Sequence, residues 1–185
     1  MKKITLFVFL LLISTSLFAQ RIYRSTDFNT SSDIPLNEVK INLPFTIFAT
    51  YPEISYERIL NSDISVGATL GVGLDTDRYP YDYAFTPHFR WFFGGNTESM
   101  QKYAAGFFIE ANGSVYSQVM ENGSDFGGSE VSKLGSGLGL AVGWKYVTLN
   151  NWVGEIYLGG GRNFIKNDYD EVAYPRFGIS IGKRF

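Results

Sequence analysis

The stretch RFGISIGKRF, residues Arg176–Phe185, decides the fold of this chain. Apolar side chains recur at every second position, at Phe177, Ile179 and Ile181, with small residues between them, and the stretch closes on Phe185. Strict alternation of this kind is typical of a strand with one apolar face and one small, polar face. The stretch therefore predicts a β-strand whose two faces meet different surroundings.

Seven more alternating segments precede this strand. In the clearest of them, residues 64–74, six apolar side chains alternate with Ser, Thr and Gly. We expect the first strand to continue through Ile47 and the fifth to begin at Tyr103. The pattern predicts an all-β fold over residues 37–185, an eight-stranded antiparallel up-and-down transmembrane β-barrel whose strands need about 9–11 residues each.

The connections between the segments bear on the orientation of the barrel. Residues 61–63 and 148–151 are short turns at one end, and residues 120–133, rich in Gly, Ser and acidic side chains, form a long loop at the other. Residues 94–102 are longer than a periplasmic turn is expected to be. Because periplasmic turns are short and outer loops long, the pattern predicts that both ends of the barrel chain face the periplasm.

The amino terminus carries the pattern of a secretory signal peptide. Two lysines follow the initiator, residues 4–12 are apolar, and the small Ala19 precedes the predicted cleavage site. The apolar run is too short for a transmembrane helix. We therefore predict a signal peptide over residues 1–19 and a flexible periplasmic segment over residues 20–36.

Composition excludes several classes of function. The formal net charge is −2 with scattered basic residues, which gives no electrostatic footprint for nucleic acid. The chain has no Cys, which closes the routes to disulfides, thiolate metal sites and a lipid anchor. After the signal peptide there is no run of 18 apolar residues, so helical spanning is excluded, whereas a closed barrel remains allowed.

The ionisable residues of the predicted strands fall on the inward face. The outward positions are almost free of charge, and a Lys or Arg facing lipid near the midplane costs roughly 2–4 kcal/mol. A lipocalin-like soluble barrel would show the opposite pattern. Lys40 and Arg184 also face inward, and a network of ion pairs is expected to fill the lumen, with a narrow polar conduit as the alternative. The residues of this interior charge network are Glu57, His88, Arg90, Glu110, Lys145, Glu155 and Arg176.

The sequence gives little indication of an enzymatic or metal-binding site. The single His88 points inward, away from the lipid face where a lipid-modifying barrel needs its catalytic group. Asp75, Asp77 and Asp82 share one outer loop but lack the order of a calcium loop. We predict no catalytic, cofactor-binding or metal site, and no cofactor.

The signal peptide, the eight alternating segments and the terminal Phe185 together resemble small bacterial outer-membrane β-barrels of the OmpA/OmpX type. The residues Leu17–Gln20 at the end of the signal peptide are similar to those common in the Bacteroidetes. Lys183 departs from the family pattern, which usually has an apolar or aromatic residue at that position. The resemblance implies a Gram-negative outer-membrane location and a non-enzymatic envelope protein with surface-exposed loops.

The resemblance also implies partners. They are outer-membrane lipid, an extracellular ligand or host surface met by the loops, and the barrel assembly machinery, which reads the last strand. Nucleic acid is not among them. A narrow pore or small-solute conduit and a lipid-modifying outer-membrane enzyme stay open as alternative functions. The residues expected to form the assembly signal are Phe177, Ile179, Ile181 and Phe185.

Overall fold

The computed structural model describes residues 35–75, 79, 81–93, 102–121, 130–164 and 173–185, and within these ranges eight antiparallel strands close into one barrel. Each strand pairs with its neighbours in sequence, and the last pairs with the first. The predicted fold class is thereby confirmed. The predicted signal peptide, and the segment after it as far as residue 34, lie outside the described residues. The elements are β1 (Asn37–Asn42), α1 (Leu43–Phe48), β2 (Glu53–Ile59), β3 (Ile64–Val72), β4 (Tyr81–Phe93), β5 (Gly106–Glu121), β6 (Glu130–Val147), β7 (Trp152–Asn163) and β8 (Ala173–Arg184).

The register of the strands fixes the width of the barrel. Pairing can be followed round the ring from Glu38 on β1 as far as Tyr174 on β8. In the β1–β8 register Asn42 lies opposite Ser180, so Tyr174 would lie opposite position 48. One circuit of the barrel therefore ends ten residues beyond Glu38, its starting point. Eight strands with a shear of ten give a narrow barrel whose interior side chains fill it. The intermediate partners are Glu57, Gly67, His88, Asn112, Gly139 and Gly161.

The two ends of the barrel differ. At one end, which we call the turn end, residues 60–63 and 148–151 make tight connections, and Asn151 adopts a φ of 62°, a left-handed conformation that Asn tolerates well. At the opposite end, which we call the loop end, β5 and β6 extend farther than expected. They reach Glu121 and Glu130, well into the stretch predicted as a loop, because their backbone groups continue to pair.

The predicted course of the first strand was wrong beyond Asn42. Residues 43–48 keep the alternation of a strand but form α1, with Pro44 in the first helical turn. Proline fits that position because the first N–H groups of a helix have no intrahelical partner. Phe45 is thereby buried rather than outward-facing.

The start of the fifth strand was also placed too early. Lys102–Ala104 form a turn, and β5 begins at Gly106. Tyr103 is partly buried and packs against the hydrophobic cluster that contains Phe92 and Phe108. The backbone N–H of Ala104 donates to Ser62 O over 2.8 Å, which ties this turn to the turn after β2.

The outward face of the strands is apolar. Leu140, Trp144 and Leu158 are among its exposed large side chains. Among the described strand residues, outward ionisable side chains lie near strand ends, such as Arg58 and Lys183 at the turn end and Arg162 at the loop end. No helix in the described ranges is long and apolar enough to cross a membrane.

Candidate functional site

The lumen contains a continuous set of buried ion pairs. Alternation along the strands sends every second side chain inward, and a narrow barrel brings these side chains from all sides to the axis. Within the described residues, five carboxylates and five cations take part, so their formal charges balance. Buried charges are tolerated only when each is paired and hydrogen-bonded. The residues are Glu38, Glu53, Glu57, Glu110 and Glu155 with Lys40, Arg90, Lys145, Arg176 and Arg184.

Arg90 on β4 lies at the centre of this set. Its Nε donates to Glu110 over 2.8 Å, and its Nη1 donates to Glu57 and to Glu155, each also over 2.8 Å. The guanidinium carbon lies 4.6 Å from the ring centroid of Phe108. A guanidinium with several fixed donors suits such a site, because one cation can serve three carboxylates in one geometry.

Toward the turn end the cations are lysines and Arg184. Lys145 Nζ donates to Glu38 over 2.8 Å and to Glu57 over 2.6 Å. Lys40 Nζ donates to Glu57 and, over 2.8 Å, to Glu155. Arg184 holds Glu38 through bonds of 2.8 and 2.6 Å and also donates to the Tyr103 carbonyl over 2.8 Å. The network thereby anchors the turn below the barrel.

Toward the loop end the network becomes more aromatic. Arg176 donates to Glu110 over 3.0 Å and lies 4.8 Å from the ring centroid of Tyr157. The Tyr157 hydroxyl donates to Glu53 over 3.2 Å, and the Tyr174 hydroxyl donates to Asn112 over 2.7 Å. The two phenols thus donate to a carboxylate and to an amide oxygen of the lumen.

All seven residues predicted for the network point into the lumen, and six of them form ion pairs there. His88 forms no ion pair among the described residues. Its Nδ1 lies 3.4 Å from the Thr86 carbonyl, and its Nε2 has no partner in the same ranges. Lys145 lies opposite Glu155 in the ladder yet pairs with Glu38 and Glu57 instead.

Sequence reasoning did not include Glu38 and Glu53 in the network. Alternation in the first segment is clear only from Val39 onward, and the second segment has the weakest of the eight patterns. Glu38 nevertheless has the same parity as Lys40, two residues on, which is the signal that could have found it.

An apolar layer closes the lumen at the turn end. Its members come from the ends of β2, β4 and β5 and from the turn before β5, and all are almost fully buried. Phe92 and Phe108 share the inward parity of the charged residues on their strands, so the parity alone could have placed them inside. We call this layer the apolar floor; it consists of Ile59, Phe92, Ala104 and Phe108, and the ring of Tyr157 packs against it.

At the loop end the lumen opens into a cavity rimmed by aromatic rings. Ring centroids lie 4.9 Å apart for Tyr51 and Tyr79, 5.1 Å for Tyr79 and Tyr81, and 5.1 Å for Tyr81 and Tyr116. Arg176 and Glu53 are also part of the cavity lining. In the described residues no group of three or more His, Asp or Glu side chains is arranged to hold a metal ion. We call the cavity the aromatic vestibule; its aromatic lining residues are Phe45, Tyr51, Tyr79, Tyr81, Tyr116, Tyr174 and Phe177.

These features define a closed eight-stranded antiparallel barrel with an apolar outer face and an ion-paired lumen. Neither a protein-family model nor a curated protein matches the chain in sequence. Among solved structures the chain is similar to the N-terminal β-barrel domain of OprF from Pseudomonas aeruginosa, with a TM-score of 0.58 and 16% sequence identity. The match covers 80% of this chain and 96% of that one. The resemblance to barrels of the OmpA type is therefore confirmed at the level of the fold.

Proposed function

We propose that this chain is an integral outer-membrane β-barrel that serves as a non-enzymatic envelope protein, with its loop end presented to the outside. The observation that carries the proposal is the segregation of charge. Ten paired ionisable side chains lie inside the described barrel, while mid-strand positions such as Leu140 and Leu158 present apolar side chains that are 64% and 68% exposed. A water-soluble protein rarely exposes a continuous apolar surface of this size, whereas lipid requires one.

The state of the lumen favours a structural role over a conduit. The ion-paired side chains of Lys40, Arg90 and Lys145 have no solvent exposure, and Phe92 and Phe108 of the apolar floor are equally enclosed. Passage of a solute would require both layers to open. Surface-exposed loops remain as the part able to contact an extracellular ligand or a host surface.

Cell fractionation together with electrophoresis tests this proposal. We expect the full chain to co-purify with outer membranes and to migrate differently before and after heating in detergent, because a closed barrel resists unfolding by detergent alone. Recovery in the cytoplasmic or periplasmic soluble fraction, with no effect of heating, would contradict it.

We further propose that Phe177, Ile179, Ile181 and Phe185 form the signal that the barrel assembly machinery reads. All four side chains are exposed; three lie on β8 and Phe185 follows it directly. Phe185 also exchanges backbone bonds of 2.8 and 3.1 Å with Asn37, and these do not need its ring.

The variant Phe185→Ala separates recognition from stability, because it removes the ring and keeps the ladder. We expect less heat-modifiable protein in cells and unchanged refolding of the purified chain into detergent. Phe164→Ala, which removes an outward ring at the loop end of β7, is the matched control and is expected to leave both measurements unchanged. Equal effects of the two variants in cells would contradict the signal.

A further inference from the structure

Positive charge on the outward face of the turn end is confined to one side of the barrel. Arg58 on β2 and Lys183 on β8 are the outward cations of the described strands at this end. On the opposite side, β3 to β6 present apolar and aromatic side chains at this end, among them Trp91, Phe93 and Trp144. Cations that only extend toward water at a membrane boundary have no reason to gather on one side of the ring. The clustering therefore points to a ligand.

The strand register places the two cations on either side of β1. Asn37 on β1 lies opposite Arg58. Val39, two residues farther on, lies opposite Tyr56 on one side and Lys183 on the other. Because neighbouring strands are about 4.8 Å apart, β2 and β8 are separated by about 10 Å, with the short side chain of Val39 between them. We call this surface, together with the ring that lies opposite Lys183 on β7, the cationic rim; its residues are Asn37, Val39, Tyr56, Arg58, Trp152 and Lys183.

Hydrogen bonds hold the Arg58 guanidinium over β1. Its Nη1 donates to Asn37 Oδ1 over 2.8 Å, and the Tyr56 hydroxyl donates to the same oxygen over 2.7 Å. The side-chain amide of Asn37 in turn donates to the Phe185 carbonyl over 3.3 Å. A guanidinium has five N–H donors, and the contact with Asn37 uses one of them. The guanidinium is therefore oriented in advance and can still donate to an oxyanion.

Lys183 is held in a similar way on the other side of β1. Its Nζ donates to the Asn150 carbonyl over 2.5 Å and lies 5.3 Å from the ring centroid of Trp152. An ammonium has three N–H donors, so this contact leaves two of them for a further acceptor. A Cβ built on Gly154, two residues from Trp152, would have no described atom within 4 Å, so the outward surface beside the ring is open. A charged ligand here also gives a reason for a lysine where the last strand otherwise presents apolar side chains outward.

The charge of the cationic rim selects an anionic lipid. In the described residues, the outward positions of β7, β8, β1 and β2 hold no Asp or Glu. A zwitterionic head group would bring an ammonium to a surface without a carboxylate side chain to receive it, whereas an anionic head group meets cations and neutral donors. Tyr56 and Trp152 are 47% and 51% exposed, and such rings suit the boundary between head groups and acyl chains.

We propose that the cationic rim binds an anionic phospholipid of the leaflet that surrounds the turn end. The phosphate and ester oxygens of the lipid accept hydrogen bonds from Arg58 and Lys183, and its acyl chains lie along the apolar outward face of β1 and β8. The proposal rests on the proposed function, because the rim meets lipid only if the barrel is embedded in a membrane.

Quenching of tryptophan fluorescence by brominated lipids tests the proposal in the full-length protein. The chain has three Trp residues, of which Trp152 lies in the cationic rim and Trp91 lies at the same end on the opposite side. One single-Trp protein carries Trp91→Phe and Trp144→Phe, and the other carries Trp144→Phe and Trp152→Phe. The vesicles contain phosphatidylcholine and phosphatidylglycerol, with bromine on the acyl chains of one or the other. The ratio of the two quenching efficiencies gives the preference for phosphatidylglycerol beside each Trp.

We expect a preference for phosphatidylglycerol beside Trp152 and none beside Trp91. An exposed ion pair contributes about twofold to fivefold, so two of them give a preference of about fourfold or more. Arg58→Gln and Lys183→Gln are each expected to lower the preference beside Trp152 by about twofold to fivefold. Arg162→Gln, which removes an outward cation at the loop end, is the matched control and is expected to leave the preference unchanged.

Three results would overturn the proposal: equal quenching of Trp152 by the two lipids, an equal preference beside Trp91, or a preference that survives the loss of both cations. Failure of the proposed function would look different, because brominated phosphatidylcholine would then quench neither reporter.

A salt titration repeats the test without a substitution at either cation. It decides the matter if a variant fails the heat-shift test for folding, which is its change in mobility on heating in detergent. Salt screens exposed charges, so the preference beside Trp152 is expected to fall toward one as the NaCl concentration rises from 0.01 M to 1 M. A preference that does not depend on salt would contradict recognition by Arg58 and Lys183.

Discussion

Arg90 shows how one residue organises the interior of this barrel. It donates to Glu57, Glu110 and Glu155, which come from three other strands. Each carboxylate has a second cation nearby, Lys40 for Glu57 and Glu155 and Arg176 for Glu110. Because the partners are shared, removing Arg90 weakens the whole set rather than one pair.

Replacing this cation is therefore expected to destabilise the barrel strongly. Arg90→Met leaves three buried carboxylates short of positive charge and is expected to lower the free energy of unfolding by about 3–5 kcal/mol. In a double-mutant cycle with Glu155→Gln, coupling of about 0.5–3 kcal/mol is expected, since the two side chains are in contact. Reversible denaturant unfolding in lipid vesicles measures both quantities. Arg162→Met, at an exposed position, is the control, and strict additivity of Arg90→Met and Glu155→Gln would contradict a shared network.

Inward glycines make room for large rings on neighbouring strands. The three atoms nearest to a Cβ built on Gly161 all belong to the Tyr174 side chain. Atoms of the same side chain lie 2.8 Å from a Cβ built on Gly137 or on Gly139. The Tyr174 ring cannot simply withdraw, because its hydroxyl is bonded to Asn112. Gly137, Gly139 and Gly161 thus make room for the Tyr174 side chain.

Gly161→Ala is accordingly expected to cost about 1–3 kcal/mol of unfolding free energy through overpacking. Gly154→Ala on the same strand is the matched control, because a Cβ there has no neighbour within 4 Å among the atoms of the structure described. That change is expected to be neutral or to stabilise by up to about 1 kcal/mol. Denaturant unfolding measures the loss of unfolding free energy in each variant. A larger loss for Gly154→Ala than for Gly161→Ala would contradict the packing role.

At the scale of elements, period-two alternation located most strands within a few residues. The third strand was predicted from Ile64 and begins there. The pattern failed at residues 43–48, because apolar residues in α1 happen to keep the same alternation, and Pro44 was the one local sign of a change. Whether a segment continues a strand depends on its partner, here the edge of β8, and that partner is distant in sequence.

The sequence predicts which side chains face the lumen but not which of them are in contact. Parity placed Arg90 and Glu155 inside, but it could not show that they touch. They lie on β4 and β7 and meet because a barrel with a shear of ten is narrow enough for side chains to reach across its axis. Pairing partners follow from the register of the whole ring rather than from the spacing within one strand.

The outward face of β6 offers a test of membrane embedding. Leu140 in the middle of β6 and Leu149 in the turn after it are 64% and 73% exposed, so exposure alone does not distinguish them. If lipid surrounds the strands, Leu140→Arg is expected to cost about 2–4 kcal/mol. Leu149 lies beyond the strands, so Leu149→Arg is expected to change the free energy of unfolding by no more than about 0.5 kcal/mol. Folding into lipid vesicles at increasing denaturant concentration measures the free energy of unfolding of each variant. Equal effects of the two substitutions would contradict a lipid-facing β6.

The molecule as a whole closes its lumen in two consecutive layers, the ion-paired network around Arg90 and the apolar floor below it. The layers touch, since Arg90 lies over Phe108 and Lys145 Nζ lies 4.6 Å from the ring centroid of Phe92. Ions crossing the barrel meet the layers one after the other. Opening one layer therefore leaves the other as a complete barrier, and conductance depends on both.

Single-channel recording in planar bilayers tests this arrangement. We expect the wild type to stay closed, and we expect the same of Phe92→Ala with Phe108→Ala, which opens only the apolar floor. Arg90→Ala with Glu155→Ala removes one cation and one carboxylate, so it thins the network without leaving a net charge, and it too is expected to stay closed. Discrete conductance steps are expected when all four changes are combined, provided that the heat-shift test shows a folded barrel. Steady conductance of the wild type would instead establish the narrow-conduit function, and steps in either double variant would show that one layer alone is the barrier.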